Sequence, residues 1–380
     1  VSEDILTCPP AADGVATVVS SRHLSVNAGL PPLCLGDKPT SFFEFWPAWL
    51  MYFPVALYWM LLAIRYRSLG LPLVVNPEIP LGGMIGESKN AIFSQAGEHL
   101  RAALLPHICV ERIDIDVNVL ALQALQRAKI KGLEFPLVAK PDVGCRGAQV
   151  ELVENLDQLR QFFSHIATGS IILLQALAPY KAEAGIFYIR YPTQNSGHIA
   201  SLTLKYRPVV IGDGVATVEQ LIRAHPRASK LSALHCKKNR HRLNDVPAKG
   251  EEFALEFAGS HCRGSVFRNG NEYISAEMER VFDSLLQDLP RFFYGRLDIK
   301  FESIEKLQQG RCFRILEING VSSEQTHIWD SRTTLKEALA VLLGQYRCLF
   351  EIGDQLRAKG FAVPSVFAMI RTWLLELRRS

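Results

Sequence analysis

The sequence predicts an α+β chain, on three observations. Phe292 to Asn319 contains two segments of period-two alternation, Y-G-R-L-D-I-K-F and C-F-R-I-L-E-I-N-G, which read as paired strands. Phe135 to Val150 reads as a buried strand ending at Lys140, a loop with Gly144 and Gly147, and a second strand. Capping boxes open two helices, T-x-x-Q at Thr217 and T-x-x-E at Thr334.

At 380 residues, 48% hydrophobic and 21% charged, the chain has enough apolar material for a folded body of two or three subdomains. A formal charge of +4 gives no case for nucleic acid. The 8 cysteines form no C-x-x-C and no metal-ligand spacing, so free thiols in a reducing cytoplasm are expected and no zinc site. Residues 1–40, beginning at Val1, are rich in Pro, Gly and Ser, lack periodicity and hold no cleavable signal peptide, so they are expected to be poorly structured.

Phe45 to Ile64 carries no charge over 20 residues and runs into Arg65 and Arg67. That is about the length of a bilayer span. Pro54 is expected to interrupt the helix, and Trp46, Trp49, Tyr52, Tyr58 and Trp59 favour a membrane interface. The expectation is a bent, shallow insertion on the cytoplasmic face of an anionic bilayer, with a full span or burial against the protein's own body as the alternatives.

Leu71 onward is a short apolar strand, a Pro- and Gly-rich loop and a helix near Glu87, with Lys89 inside it. After the glycine loop come a helix over Leu156 to Ile166 and a strand over Ser170 to Gln175. Gly185 to Pro192 and His198 to Lys205 then alternate around T-Q-N-S-G, a hairpin signal. His235 to Arg242, the one dense basic run, reads as a solvated surface loop without the aromatic platform of a single-strand nucleic-acid site.

In the strand Y-G-R-L-D-I-K-F, residues two apart share a face, so Arg296, Asp298 and Lys300 project together. Glu317 and Asn319 do the same on the second strand, across a polar loop from Glu302 to Gly310. Two carboxylates and an amide carbonyl on one surface are hard oxygen ligands of the kind that hold Mg²⁺ with substrate phosphates. Glu317 and Asn319 lie in an apolar run, where an unpaired carboxylate is costly.

Those motifs, R-L-D-I-K-F followed by I-L-E-I-N, resemble the metal-binding hairpin of the ATP-grasp superfamily, in its D-alanine–D-alanine ligase-like, carboxylate–amine ligase branch. The resemblance runs from about Phe135 to Asp330, more weakly from Glu87. It implies an ATP-grasp fold, two lobes closing on ATP, here behind an atypical hydrophobic N-terminal segment. It implies that Lys89, Lys140 and Lys205 touch nucleotide phosphates, with Gly144 and Gly147 in the flexible loop. The hinge I-I-L-L-Q-A-L-A-P-Y would meet adenine through the backbone of Gln175 and Leu177, with Gln175 where many relatives have Glu, and Glu183 would bind ribose. Asp298, Glu317 and Asn319 would hold Mg²⁺, or Mn²⁺ as an alternative, and Arg296 would stabilise an oxyanion. Arg263 would be a carboxylate contact.

The implied activity is an ATP-dependent ligase joining small-molecule carboxylate and amine substrates through an acyl phosphate. The alternatives are a phosphotransferase acting on a hydroxyl, or a nucleotide-binding, membrane-associated protein without turnover. G-V-S-S-E-Q-T-H departs from the family's N-x-x-P-G ending, so a D-alanyl acceptor is not implied. The expected divisions are a poorly structured 1–40, a hydrophobic 41–68, a reduced preceding region 69–120, a small lobe 121–178, a large lobe 179–345 and a C-terminal helical segment 346–380. The last helix, from about Pro364, is expected to pack on the body, with membrane contact as the alternative, and Arg378 and Arg379 are favourable at its end. The expected location is the cytoplasm, at the membrane's inner face.

Overall fold

The structure, a computed structural model, describes residues 25–33, 38, 40–144 and 149–377. Its elements run α1 (Ala48–Tyr66), α2 (Lys89–Ser94), α3 (Glu98–Ala103), β1 (His107–Glu111), α4 (Val117–Ile130), β2 (Leu137–Pro141), β3 (Glu151–Val153), α5 (Leu156–Ser164), β4 (Ile171–Ala176), β5 (Ala182–Ile189) and β6 (His198–Tyr206). They continue β7 (Val209–Ile211), α6 (Val218–Ala224), α7 (Ser232–Lys238), β8 (Glu252–Ala254), β9 (Val266–Asn269), α8 (Ala276–Gln287), β10 (Tyr294–Phe301), α9 (Ile304–Gln308), β11 (Phe313–Asn319), α10 (Leu335–Ala358) and α11 (Val366–Leu377). The chain is α+β, as the sequence predicts.

A four-stranded sheet, β1-β4-β2-β3, is antiparallel throughout. Leu120 and Ala124 of α4 and Leu159, Phe162 and Phe163 of α5 bury one of its faces with Ile172 and Leu174. β1 falls in the span read as a preceding region, yet it pairs with β4, so this lobe begins ahead of residue 121. A second antiparallel sheet, β11-β10-β5-β6-β9, is larger. Met278, Phe282 and Leu285 of α8 cover one side. Leu349, Ile352 and Leu356 of α10 cover the other. With both faces covered, β5 is buried at every position instead of alternating, and it starts at Ala182 rather than Gly185. A small two-stranded sheet, β7 with β8, packs on α6 through Val210, Val218, Ile222 and Phe253.

Both predicted capping boxes form, at Thr217 with Gln220 and at Thr334 with Glu337. Several other expectations are corrected. The polar stretch after β10 contains α9, because Ser303 caps it by accepting from the Lys306 N–H. The basic run is the end of α7 and a turn, with His235 fully buried and Lys238 paired to Glu256. Residues 25–33 strap the body: the Val26 N–H donates to Glu252 at 2.6 Å and Tyr206 Oη to the Pro31 carbonyl at 2.8 Å. Cys312 is disulfide-bonded, against the expectation of thiols throughout. Cysteine usage therefore does not argue for a reducing compartment.

α1 continues through Pro54. It lies on α10, with Met51 and Val55 against Ala338 and Leu342. The half-buried Trp59 ring is 5.4 Å from Tyr346 and 5.8 Å from Phe350, so it packs on α10. α11 does not pack into the body as expected: none of its described side chains is buried. Arg378 and Arg379 lie outside the described residues.

Candidate active site

The two sheets meet along β11. Asp298 stands opposite Glu317 and Arg296 opposite Asn319, so the pairing gathers the predicted residues. Ile299 then faces Ile315, which leaves Leu316 as the extra residue of a bulge. The Leu316 carbonyl accepts from Lys140 Nζ at 3.1 Å and Gln175 Nε2 at 3.3 Å, both from the smaller sheet. The bulge is thus the seam where the lobes touch.

Alternating charges run across this seam. Lys140 Nζ lies 3.2 Å from Glu317 Oε1. Lys205 Nζ lies 2.8 Å from Asp298 Oδ1 and 3.4 Å from Glu183 Oε1. Arg296 Nε donates to Asp298 Oδ1 at 2.9 Å, and Lys300 Nζ reaches Glu183 at 3.3 Å. Burial alone would raise the Asp298 carboxyl, and the Arg296 and Lys205 charges outweigh it, drawing it down to about 2. Burial likewise opposes ionisation of Glu317, and Lys140 and Lys89 hold it below the usual carboxylate range. Burial pushes Lys140 down despite Glu317. Asp298 and Glu317 are therefore carboxylates neutralised by cations that an anionic ligand would also attract.

Glu87 was read only as the start of a helix, and it belongs to this group. Burial pushes its carboxyl up to about 7, although the Gly320 N–H donates to it at 2.8 Å and Lys89 is near. The glycine turn before it sets its position. Gly83, at φ +81°, leaves no room for a Cβ, which would sit 2.5 Å from Glu87 Oε2. The signal in the sequence was an acid closing a glycine-rich loop. Gly185 was also missed. It faces Asp298 across β5 and β10, where a Cβ would lie 3.1 Å from Arg296 Cδ and 3.4 Å from Asp298 Oδ1. A glycine inside a strand marks such a close approach.

Lys89 acts on these charges from the side of the glycine loop. Its Nζ donates to the carbonyls of Asp142 at 3.1 Å, Gly144 at 3.2 Å and Pro141 at 3.4 Å, tying α2 to the base of the glycine loop. In this structure the Lys89 donors are taken by the backbone of the loop expected to hold phosphate. Gly144 thus contributes a carbonyl to Lys89, and Gly147 lies outside the described residues. Leu177 follows β4 and is partly exposed. Arg263 faces the buried Glu256 at 3.7 Å.

For Mg²⁺ the donors fit. Among the described residues no three His, Cys, Asp or Glu are grouped for a metal. Asp298 and Glu317 supply two carboxylates, the usual protein share for Mg²⁺ that also takes phosphate and water ligands. Asn319 has a buried side-chain nitrogen without a partner. Since amide N and O are interchangeable by a flip, this position offers an unsatisfied amide oxygen beside them. Two open cavities, of ≈ 470 and ≈ 440 Å³, border Asp330 and Pro31 respectively and none of these residues.

No family model matches the chain, and no curated protein matches it in sequence. Among solved structures it is similar to a D-alanine–D-alanine ligase from Bacillus anthracis, at 13% identity and TM-score 0.39, over 72% of this chain and 69% of the other. It is similar to a D-cycloserine synthetase at 10% identity and TM-score 0.36, over 78% and 81%. It is also similar to a bifunctional glutathione synthetase from Pasteurella multocida at 13% identity and TM-score 0.36, over 72% of this chain, which spans only 36% of that enzyme.

Proposed function

We propose that the protein is an ATP-dependent carboxylate–amine ligase of ATP-grasp type, working through an acyl phosphate. The observation that supports this best is the Asp298–Glu317 pair, flanked by Lys205 from its own sheet and Lys140 from the opposite lobe. Lysines on both sides of a cleft, each held by an acid, are arranged to exchange those acids for phosphates.

In this reading ATP enters the seam, adenine meets the backbone at Gln175 and Leu177, and Glu183 receives the ribose. Lys140 and Lys205 bind the phosphate oxygens. Asp298, Glu317 and Asn319 would hold Mg²⁺, which supplies charge neutralisation of the phosphates when bound. The substrate carboxylate oxygen attacks the γ-phosphorus, the bond to the β–γ bridging oxygen breaks, and ADP leaves. The amine nitrogen then attacks the acyl carbon. Arg296, half-buried and always charged, faces the oxyanion, the C–O bond to phosphate breaks, and inorganic phosphate departs. Glu87, poised at about 7, accepts the proton the amine releases.

Hydroxylamine tests the acyl phosphate. With ATP and an acid that supports ADP release, a hydroxamate is expected. A stable phosphate ester instead would move the protein to the phosphotransferase class.

A further inference from the structure

We propose that α1 and α11 form a two-helix platform that seats the protein in the plane of an anionic membrane surface. The two helices do this differently. α1 has a face committed to the body, Met51, Val55, Leu62 and Ala63. Its other face carries Trp49, Phe53, Leu57, Met60, Leu61 and Ile64, each between 51% and 72% exposed. Those positions recur every three or four residues, so they form one stripe, roughly 25 Å long at 1.5 Å per residue. Stripes of that size on a folded protein mark an interaction surface.

α11 extends it. Phe367 is 82% exposed, and Trp373 and Leu374 are each 49% exposed. The segment leading into α11 abuts the end of α1. Val363 packs with Leu62, Ala63 and Phe350, and a Cβ on Gly70 would lie 2.3 Å from the Pro364 carbonyl. The two uncovered helices therefore meet at one corner of the molecule.

Charge identifies the occupant as a bilayer with anionic headgroups. Arg65, Arg67 and Arg371 are exposed at or beside these helices. α1 contains no Asp or Glu and α11 only Glu376, so the platform of a second copy has one acid to offer three arginines. A bilayer offers an apolar layer for the stripe and phosphates for the arginines. α1 is long and apolar enough to span a membrane. Spanning would strip Met51, Val55, Leu62 and Ala63 from α10 and the body, so the helix lies flat.

The test is flotation of the full chain, without detergent, with vesicles of phosphatidylcholine alone or mixed with phosphatidylglycerol. The wild type is expected to rise with the mixed vesicles and to be released by high salt. Leu57→Ser with Leu61→Ser should abolish flotation, and Trp373→Ser should weaken it separately. Removing Arg65 and Arg67 as serines should weaken binding to mixed vesicles about fivefold per arginine and leave neutral vesicles unaffected. All these side chains are exposed, so unchanged melting temperatures control for folding. Wild type that stays soluble with both vesicles overturns the proposal, as does a dimer abolished by the Leu57 and Leu61 changes. Undiminished flotation of Trp373→Ser removes α11 from the platform, and resistance to alkaline carbonate extraction refutes the flat orientation.

Discussion

Lys140→Met separates the structural from the functional share of the seam. Lys140 Nζ makes two contacts across the lobes, to Glu317 Oε1 at 3.2 Å and the Leu316 carbonyl at 3.1 Å. Removing one partner of a fully buried pair costs about 3–5 kcal/mol. The Glu317 side chain is 25% exposed, so water replaces part of the lost interaction and about 2 kcal/mol is expected. The loss depends on pH. Glu317 has a depressed folded value, so the pair stabilises above the ordinary carboxylate range and fades as pH falls through that value. Wild type and variant should converge in acid. For ATP, a charge-assisted contact of about 1.5–3 kcal/mol corresponds to about tenfold to a hundredfold weaker binding. Adding Glu317→Gln removes the orphaned charge and should restore most of the stability but none of the ATP affinity. Urea unfolding and titration calorimetry with ATP read the two effects. Unchanged ATP affinity in Lys140→Met, or affinity recovered with stability in the double variant, would refute the phosphate role.

Three further outcomes are expected. Glu87 must be ionised to accept a proton, so kcat/KM should fall as pH drops through about 7, and Glu87→Gln should lower the rate and flatten that limb; an unchanged limb assigns it elsewhere. Gly185→Val should press Arg296 and Asp298 apart, abolishing ADP release while costing about 1–3 kcal/mol in thermal melts; normal turnover would show that the space is not needed. His235 is fully buried with both ring nitrogens unpartnered and a value lowered by burial to about 4. The unfolded chain binds the extra proton between about 6.5 and that value, so stability should fall by about 3 kcal/mol on acidification through this window, and His235→Leu should remove that slope.

The hairpin was legible because period two alone decides which residues share a strand face, so Arg296, Asp298, Glu317 and Asn319 met as expected. Helix caps were legible for a similar reason, being local. The bulge at Leu316 was not, since it depends on how β10 and β11 twist under the smaller lobe. The carbonyls around Lys89 were not legible either, since a lysine after a glycine loop says nothing about which backbone atoms surround it. β5 hid its boundary because helices on both faces erase alternation. Glu87 and Gly185 join the site through contacts more than a hundred residues distant in sequence, which no local pattern carries. The aromatic content of α1 suggested an interface, yet Trp59 packs on α10 and the exposed stripe is mainly aliphatic.

The central claim, acyl transfer through an acyl phosphate, is tested most directly by isotope transfer. For any carboxylic acid that supports ADP release, both carboxylate oxygens are labelled with ¹⁸O and the released phosphate is analysed by mass spectrometry after amide formation. One ¹⁸O per phosphate is expected, because the attacking oxygen leaves with phosphorus. Phosphate free of label, or label retained on a phosphorylated product, would contradict it.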